Sequence, residues 1–310
     1  MSTDPRFVER TEQLDRDGFF VWPGLLPDSL VDRHLADYEA LNAALAAEPR
    51  EQAEIKQARY DFHRDNPATQ ELYFNPDLLA FLSFYFGEEP VMRQPETGLH
   101  HRKTPDHTDS LDFKVSPHRH ELRMWCALED IHPDSGPVYF VPGSHRSIAG
   151  RLERDVLTEH PELGELLRAQ MHPTTAQEFY VATQPLWNYV KQRKIPTAIQ
   201  ENGVERVPLL LEKGDVVIFS SDCVHGTCRC ANPALTRKYC VAYWSAAGAE
   251  WFQSRSYWGP LHDYRDAENA ISAPVERTPL GLRMSFQELH AAYMASFEKA
   301  VVQPAVARSA

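Results

Sequence analysis

MWCALEDIHPDSGPVYFVPGSH, residues 124–145, is two apolar runs separated by a turn. Trp125–Leu128 and Val138–Val141 are β-prone, and His132, Pro133, Asp134, Ser135 and Gly136 between them are turn-building residues. Working outward, runs of the same kind recur at VMRQ (91–94), LRMWCALEDI (122–131), PVYFV (137–141), VPLLLE (207–212), DVVIFSS (215–221) and RKYCVAYWSA (237–246). Short strands broken by Gly, Pro, Asp and Ser predict a β-sandwich or barrel at the centre of the chain.

Helices flank this series. FFVW (19–22) reads as a short buried strand closed by Pro23-Gly24, and a helix follows Pro27, with Val31, Leu35, Tyr38, Leu41 and Leu45 at helical spacing. In Asn75-Pro76-DLLAFLSFYF-Gly87 both ends of a helix are marked: an N-cap Asn, a Pro at the first helical position and a Gly just past the end. Ala149–Gln200 interrupts the strands with helix and loop and is expected to form a lid carrying Phe179, Tyr180, Trp187, Tyr189, Lys191, Arg193 and Lys194. From Trp251 to Arg283 the chain reads as loop. A last helix is signalled by the capping box Ser285-Phe286-Gln287-Glu288, with Phe286, Leu289, Tyr293, Met294, Phe297 and Val301 as its apolar stripe.

The 310 residues, 43% hydrophobic, suffice for a sizeable core, and no repeat or linker divides them. One domain is expected: helical support over 1–90, a β core over 91–248 with the lid inserted at about 149–205, and a C-terminal loop and helix over 249–310. The formal charge of −12, with no basic stripe, argues against nucleic acid or an anionic membrane as partner. The N-terminus lacks the apolar core of a signal peptide, and no stretch reaches the roughly 20 apolar residues of a membrane span. Five cysteines, an odd number in a long chain, suit a reducing compartment. The expectation is a soluble, cytoplasmic protein.

Chemistry concentrates in His107-Thr108-Asp109 and in CVHGTCRC around His225. On a strand, residues i and i+2 share a face, so His107 and Asp109 would converge, and His225 would supply a third ligand. Two histidines and a carboxylate on one face of a metal, with the opposite positions open, are the ligands of a mononuclear non-haem iron oxygenase. Arg237, at the head of the strand RKYCVAYW, has the forked guanidinium that grips a carboxylate. A second H-x-D, His132-Pro133-Asp134, falls in the turn and reads as surface, as does His118-Arg119-His120. Two other readings compete: His225 as a satisfied core histidine, and Cys223, His225, Cys228 and Cys230 as zinc ligands.

The blocks H-x-D, W-x-A-L-x-D-x-x-x-x-x-G-P, P-G-S-H and G-D-V-V-I-F-x-x-x-x-x-H-G, followed by an Arg, resemble the phytanoyl-CoA dioxygenase (PhyH) family. The resemblance runs in order from about Gly18 to about Ser245. It implies a mainly β fold with flanking helices: a double-stranded β-helix (jelly-roll, cupin-like) core with N-terminal helices, an inserted lid and a C-terminal helix. It implies Fe(II) as metal, 2-oxoglutarate as co-substrate and O2 as oxidant. By position, His107, Asp109 and His225 match the family's iron ligands and Arg237 the arginine that binds the distal carboxylate of 2-oxoglutarate. Thr227 matches a small hydroxyl position that assists it, and Trp125 and Gly136 match positions near the cofactor and at a turn. No motif fixes the second 2-oxoglutarate contact before His107; Arg93 and Gln94 are its candidates. Cys228 and Cys230 depart from the small polar residues common there. With Asp109 present, hydroxylation of a small organic metabolite, releasing succinate and CO2, is expected over desaturation, epimerisation or ring formation. The lid cations with Arg119 and Arg123 read first as a solvated helix face, the other reading being a surface for an anionic, partly apolar substrate. The alternative is a non-catalytic or zinc-binding ligand-binding protein of the same fold.

Overall fold

The structure, a computed structural model, describes residues 4–111, 113–117, 119–149, 188–253, 270–271, 273–285 and 287–292, with positions 152, 158, 159, 161 and 295. Five helices occupy the N-terminal third: α1 (Pro5–Asp17), α2 (Asp28–Ala47), α3 (Gln52–Tyr60), α4 (Pro67–Tyr73) and α5 (Pro76–Phe86). The end signals of α5 act as read from the sequence. The Asn75 side chain accepts hydrogen bonds from the amides of Asp77 and Leu78, and Gly87 closes the helix at φ 70°, where a Cβ is unfavourable.

Among the described residues the strands form three sheets. The largest contains β1 (Phe19–Trp22), β2 (Pro90–Gly98), β4 (Glu121–Ala127), β7 (Val216–Ser220), β9 (Tyr239–Ala246), β12 (Glu276–Arg277) and β13 (Leu282–Arg283), in the order β1-β7-β4-β9-β2-β13-β12. A second joins β3 (Phe113–Ser116), β10 (Glu250–Gln253) and β11 (Ala270–Ile271), and a third joins β5 (Val138–Phe140), β6 (Val207–Pro208) and β8 (His225–Thr227). Both expected flanks of the turn at 132–136 are therefore present, as β4 and β5, but in different sheets. The mainly β, jelly-roll core with helices packed outside it is the observed fold class.

Alternation along the strands of the large sheet splits their side chains between two cores. One face carries Leu122, Met124, Cys126, Val216, Ile218, Ala242 and Trp244 and packs on Phe7, Leu72, Phe81 and Leu82 of the N-terminal helices. The other carries Trp125, Val217, Phe219 and Tyr239 and meets Val138 and Phe140 of the third sheet. Phe81 anchors the helical side through edge-to-face contacts with Phe7, Phe20 and Trp22.

Two elements depart from the sequence reading. VPLLLE is regular strand only at Val207–Pro208, although beyond it the Leu209 amide donates to the Val138 carbonyl and the Leu211 carbonyl accepts from the Ile131 amide. Trp251–Arg283, read as loop, contributes short strands. β10 pairs with β3 and β11, and β13 joins β2 in parallel through Leu282 opposite Val91. Pieces of two to four residues are too short for an alternating pattern to register. In the lid, the described part is a π-helical turn (Val190–Lys194) leading into a helix over Ile195–Glu201. Most of the remaining lid, with Phe179, Tyr180 and Trp187, lies outside the described residues, as do Phe286, Tyr293, Met294, Phe297 and Val301 of the last helix. That helix is seen from Gln287, with Leu289 buried.

Two buried histidines make the fold acid-sensitive. His34 sits between the hydroxyls of Thr69 and Thr97, and His63 hydrogen-bonds the Tyr60 carbonyl. Burial holds each imidazole's pKa down to about 4 from an ordinary 6.5. Between those values the unfolded chain binds protons that the folded chain refuses. Stability therefore falls as pH drops from 6.5 towards 4, with a limiting slope of about 1.4 kcal/mol per pH unit for each histidine. Urea midpoints measured across that range should fall accordingly, and His34→Asn should flatten the slope; a midpoint independent of pH from 7 to 4.5 would refute this.

Candidate metal centre

The two histidines are brought together by backbone pairing. The amide of His107 donates to the carbonyl of His225 and the amide of His225 to that of His107, each at 3.0 Å. Residues that exchange both bonds across an antiparallel pair lie directly opposite, with side chains on the same face. The rings sit 4.2 Å apart. Asp109 does not reach them by the strand alternation that the sequence suggested. After the single bridge at His107 the chain turns into a 3-10 helix, Asp109–Leu111, tied down by the Ser110 amide on the Ser221 carbonyl. That turn swings the carboxylate back, and Asp109 Oδ1 lies 3.6 Å from His107 Nε2 and 3.8 Å from His225 Nε2. His107, Asp109 and His225 are the only His, Cys, Asp or Glu group among the described residues whose donor atoms so converge, all within 4.8 Å of one another.

Each imidazole is oriented from behind. His107 Nδ1–H donates to the Pro105 carbonyl at 2.9 Å and His225 Nδ1–H to the Cys223 carbonyl at 3.0 Å. A carbonyl only accepts, so each Nδ1 carries the proton and each Nε2 presents a lone pair to the shared point. Burial, helped by the neighbouring His107, lowers the His225 pKa to about 4, so that ring is neutral at physiological pH. Burial opposes ionisation of Asp109, but His225 and His107 facing its Oδ1 and the Arg123 guanidinium on its Oδ2 outweigh it and hold the carboxyl well below the usual range. The result is two imidazole nitrogens and one carboxylate oxygen facing a common point, a set that fits a divalent iron.

These groups line a cavity of about 380 Å³, a size suited to small ligands. Trp125, Val138, Phe140, Phe219, Tyr239, Val241 and Tyr243 form apolar and aromatic walls, while Arg237, Thr227, Lys191, Arg102, Lys103 and Glu96 add polar groups. Arg237 is 3% exposed; one guanidinium nitrogen donates to the Gly136 carbonyl at 2.9 Å, and its Nε has no hydrogen-bond partner among the described residues. A buried cation with an unused donor on a cavity wall fits the carboxylate of an organic acid. Trp125 stacks on Tyr239 in the same wall, with ring planes 7° apart. Thr227 holds backbone in place. Its Oγ1 accepts from the Thr104 amide and its own amide donates to the Thr104 carbonyl, pinning the segment that leads to His107. Between Thr227 and His225, Gly226 passes so close to Tyr139 that a Cβ would lie 2.4 Å from its hydroxyl.

Several expectations are not met. Arg93 is buried but does not line the cavity: it bonds Ser245 and Met284 and lies over Trp251, and Gln94 is likewise absent from the lining. Arg119 pairs with Asp15 at the surface, and Arg123 is fully buried against Asp109 and Glu121, so neither faces a substrate. Of the lid cations, Lys191 lines the cavity, whereas Lys194 pairs with Glu159. The zinc set does not assemble, since Cys223 is buried against Ser144 and the Val141 carbonyl. His132 and Asp134 sit on an exposed turn, in agreement with the sequence. What sequence reasoning missed is the Glu121/Arg123 pair. Its signal was present: two charged residues at i and i+2 in the otherwise apolar ELRMWCA must share one interior face.

The β-helix core with two histidines and one carboxylate facing an open cavity defines the class of mononuclear non-haem iron proteins. Residues 14–238 match the family model described as phytanoyl-CoA dioxygenase (PhyH), and the chain belongs to that family. A phytanoyl-CoA dioxygenase domain-containing protein 1 homolog of Caenorhabditis briggsae is 21% identical over 217 residues, 68% of this chain and 65% of that protein. Its Caenorhabditis elegans counterpart is 23% identical over 155 residues, 48% of this chain and 49% of that one. The matches thus span 49–65% of these relatives' lengths. Among solved structures, the fold is similar to the non-heme alpha ketoglutarate dependent epimerase SnoN from nogalamycin biosynthesis (TM-score 0.54, 19% identity, 91% of this chain and 99% of that one). It is also similar to EctD from S. alaskensis in its apo form (TM-score 0.55, 19% identity, 79% of each chain). No helix among the described residues is long and apolar enough to cross a membrane.

Proposed function

We propose that this chain is an Fe(II)- and 2-oxoglutarate-dependent oxygenase that hydroxylates a small organic metabolite, and that residues 1–310 act as one catalytic domain. His107, Asp109 and His225 hold the metal and Arg237 grips the distal carboxylate of 2-oxoglutarate. The observation that carries this reading is the convergence of three donor atoms in one cavity that also holds a buried arginine with a free donor. Family membership supports the cofactors, and SnoN has been solved with Fe3+, alpha ketoglutarate and a nogalamycin compound.

When bound, the ferrous ion and 2-oxoglutarate supply oxygen activation, with the keto acid leaving as succinate and carbon dioxide. The protein's part is orientation and exclusion of water. The carbonyls of Pro105 and Cys223 fix the two imidazoles, and Arg237 sets the co-substrate's direction from the cavity wall. Phe140, Phe219 and Val241 present apolar surface to whatever is oxidised, and Lys191 brings one cation of the lid helix to the same space. The mix suits a small, partly apolar metabolite better than a polymer.

The test is consumption of 2-oxoglutarate in the presence of Fe(II) and ascorbate, screened against a small-molecule library. Succinate formation stimulated by a library member is the expected result. A failure of every small molecule, with a protein or peptide succeeding, would overturn the substrate class.

A further inference from the structure

Arg123 is the most deeply buried charge beside the centre. It projects from β4, two residues before Trp125, with its side chain wholly inaccessible. Its Nε donates to Asp109 Oδ2 at 3.1 Å, one terminal nitrogen lies 2.5 Å from Glu121 Oε1, and its guanidinium stacks 3.6 Å from the centre of the Tyr243 ring. Neither terminal nitrogen has a well-aligned hydrogen bond among the described residues, so the bond to Asp109 is the directional one. Tyr243 and Asp109 line the cavity and Arg123 does not; it acts on the cavity only through them.

A carboxylate presents two oxygens, and a metal that must keep positions open for co-substrate and oxygen should take one of them. Here Oδ2 is occupied by Arg123 while Oδ1 faces both histidines. We propose that Arg123 is a positioning residue: it holds Asp109 in a one-oxygen presentation to the metal, with Glu121 and Tyr243 holding Arg123 in turn. The inference rests on Asp109 being a metal ligand. Two effects oppose each other. A buried cation near the metal repels it, whereas an oriented carboxylate binds it better, since the partners behind metal ligands are typically worth 10–100-fold in affinity. The stacked, ion-paired Arg123 has no freedom to move aside, so orientation is expected to win.

The sign of the change tests this. Co(II) titration of the apo-protein, followed by calorimetry and by the visible ligand-field spectrum, would compare wild type with Arg123→Met, Arg123→Lys and Asp109→Ala. Should Arg123→Met fail to fold because Glu121 loses its partner, Arg123→Met combined with Glu121→Gln replaces it. The expected result is Co(II) binding about 10–100-fold weaker in the Met variant, with an altered spectrum reporting a changed coordination, and an intermediate value for Lys. Binding by the Met variant that equals or exceeds wild type, with an unchanged spectrum, while Asp109→Ala loses Co(II), would overturn the role of Arg123 and leave the metal site standing. Wild-type binding by Asp109→Ala would instead overturn the site itself.

Discussion

Asp109→Ala should bind ferrous ion roughly 100-fold or more weakly than wild type and consume no measurable 2-oxoglutarate, a loss at least as large as that for changing a residue behind a ligand. The carboxylate is the only anionic member of the set and is held ionised by both histidines and Arg123. Its removal leaves two imidazoles without a carboxylate, and it also strands the buried Arg123 cation, half of whose ionic partnership is Asp109. Breaking a buried pair from one side costs about 3–5 kcal/mol, so the metal-free variant should also unfold at lower urea. Asp109→Asn keeps an acceptor for Arg123 Nε and separates the two effects: it should regain much of the stability and little of the metal affinity. Calorimetric metal titration alongside urea unfolding reads both.

Arg237→Ala should leave metal binding nearly intact and raise the 2-oxoglutarate requirement by roughly 100-fold. Charge-assisted hydrogen bonds contribute about 1.5–3 kcal/mol each, and each 1.4 kcal/mol is a factor of ten. Arg237 lines the cavity but belongs to none of the converging donors, which is why the two binding events should come apart. Arg237→Lys, keeping charge but not the fork, should fall between. Because the guanidinium also donates to the Gly136 carbonyl, the Ala variant's unfolding midpoint is the control for a loosened turn. Equal 2-oxoglutarate requirements in all three proteins would remove Arg237 from the co-substrate site.

Local signals were legible where one residue type has one use. Asn75, Pro76 and Gly87 bounded α5, and the buried runs at 122–131, 215–221 and 237–246 contain three neighbouring strands of the large sheet. His107, Asp109 and His225 could be picked out by type and order. The means of their convergence could not, because it depends on one bridge between residues 118 apart in the chain and on a 3-10 turn tied by one amide to Ser221. Long-range backbone pairing of that kind leaves no periodic trace. Arg93 illustrates the reverse failure. An arginine on a strand was a reasonable co-substrate ligand by type, but the irregular register between Met92 and Gln94 lies at this residue, whose side chain goes to Ser245 and Met284 instead. Glu121 and Arg123 carried a readable signal in their spacing, and their ion pair shows why two charges stand in a buried strand.

The most direct test of the metal and co-substrate site is anaerobic titration of the apo-protein with Fe(II) and then 2-oxoglutarate, watching for the weak visible charge-transfer band of the chelate, with His107→Ala and Arg237→Ala in parallel. The band should form in wild type, be absent in His107→Ala, and require far more 2-oxoglutarate in Arg237→Ala. No band in wild type, with a tightly held zinc in its place, would contradict the assignment.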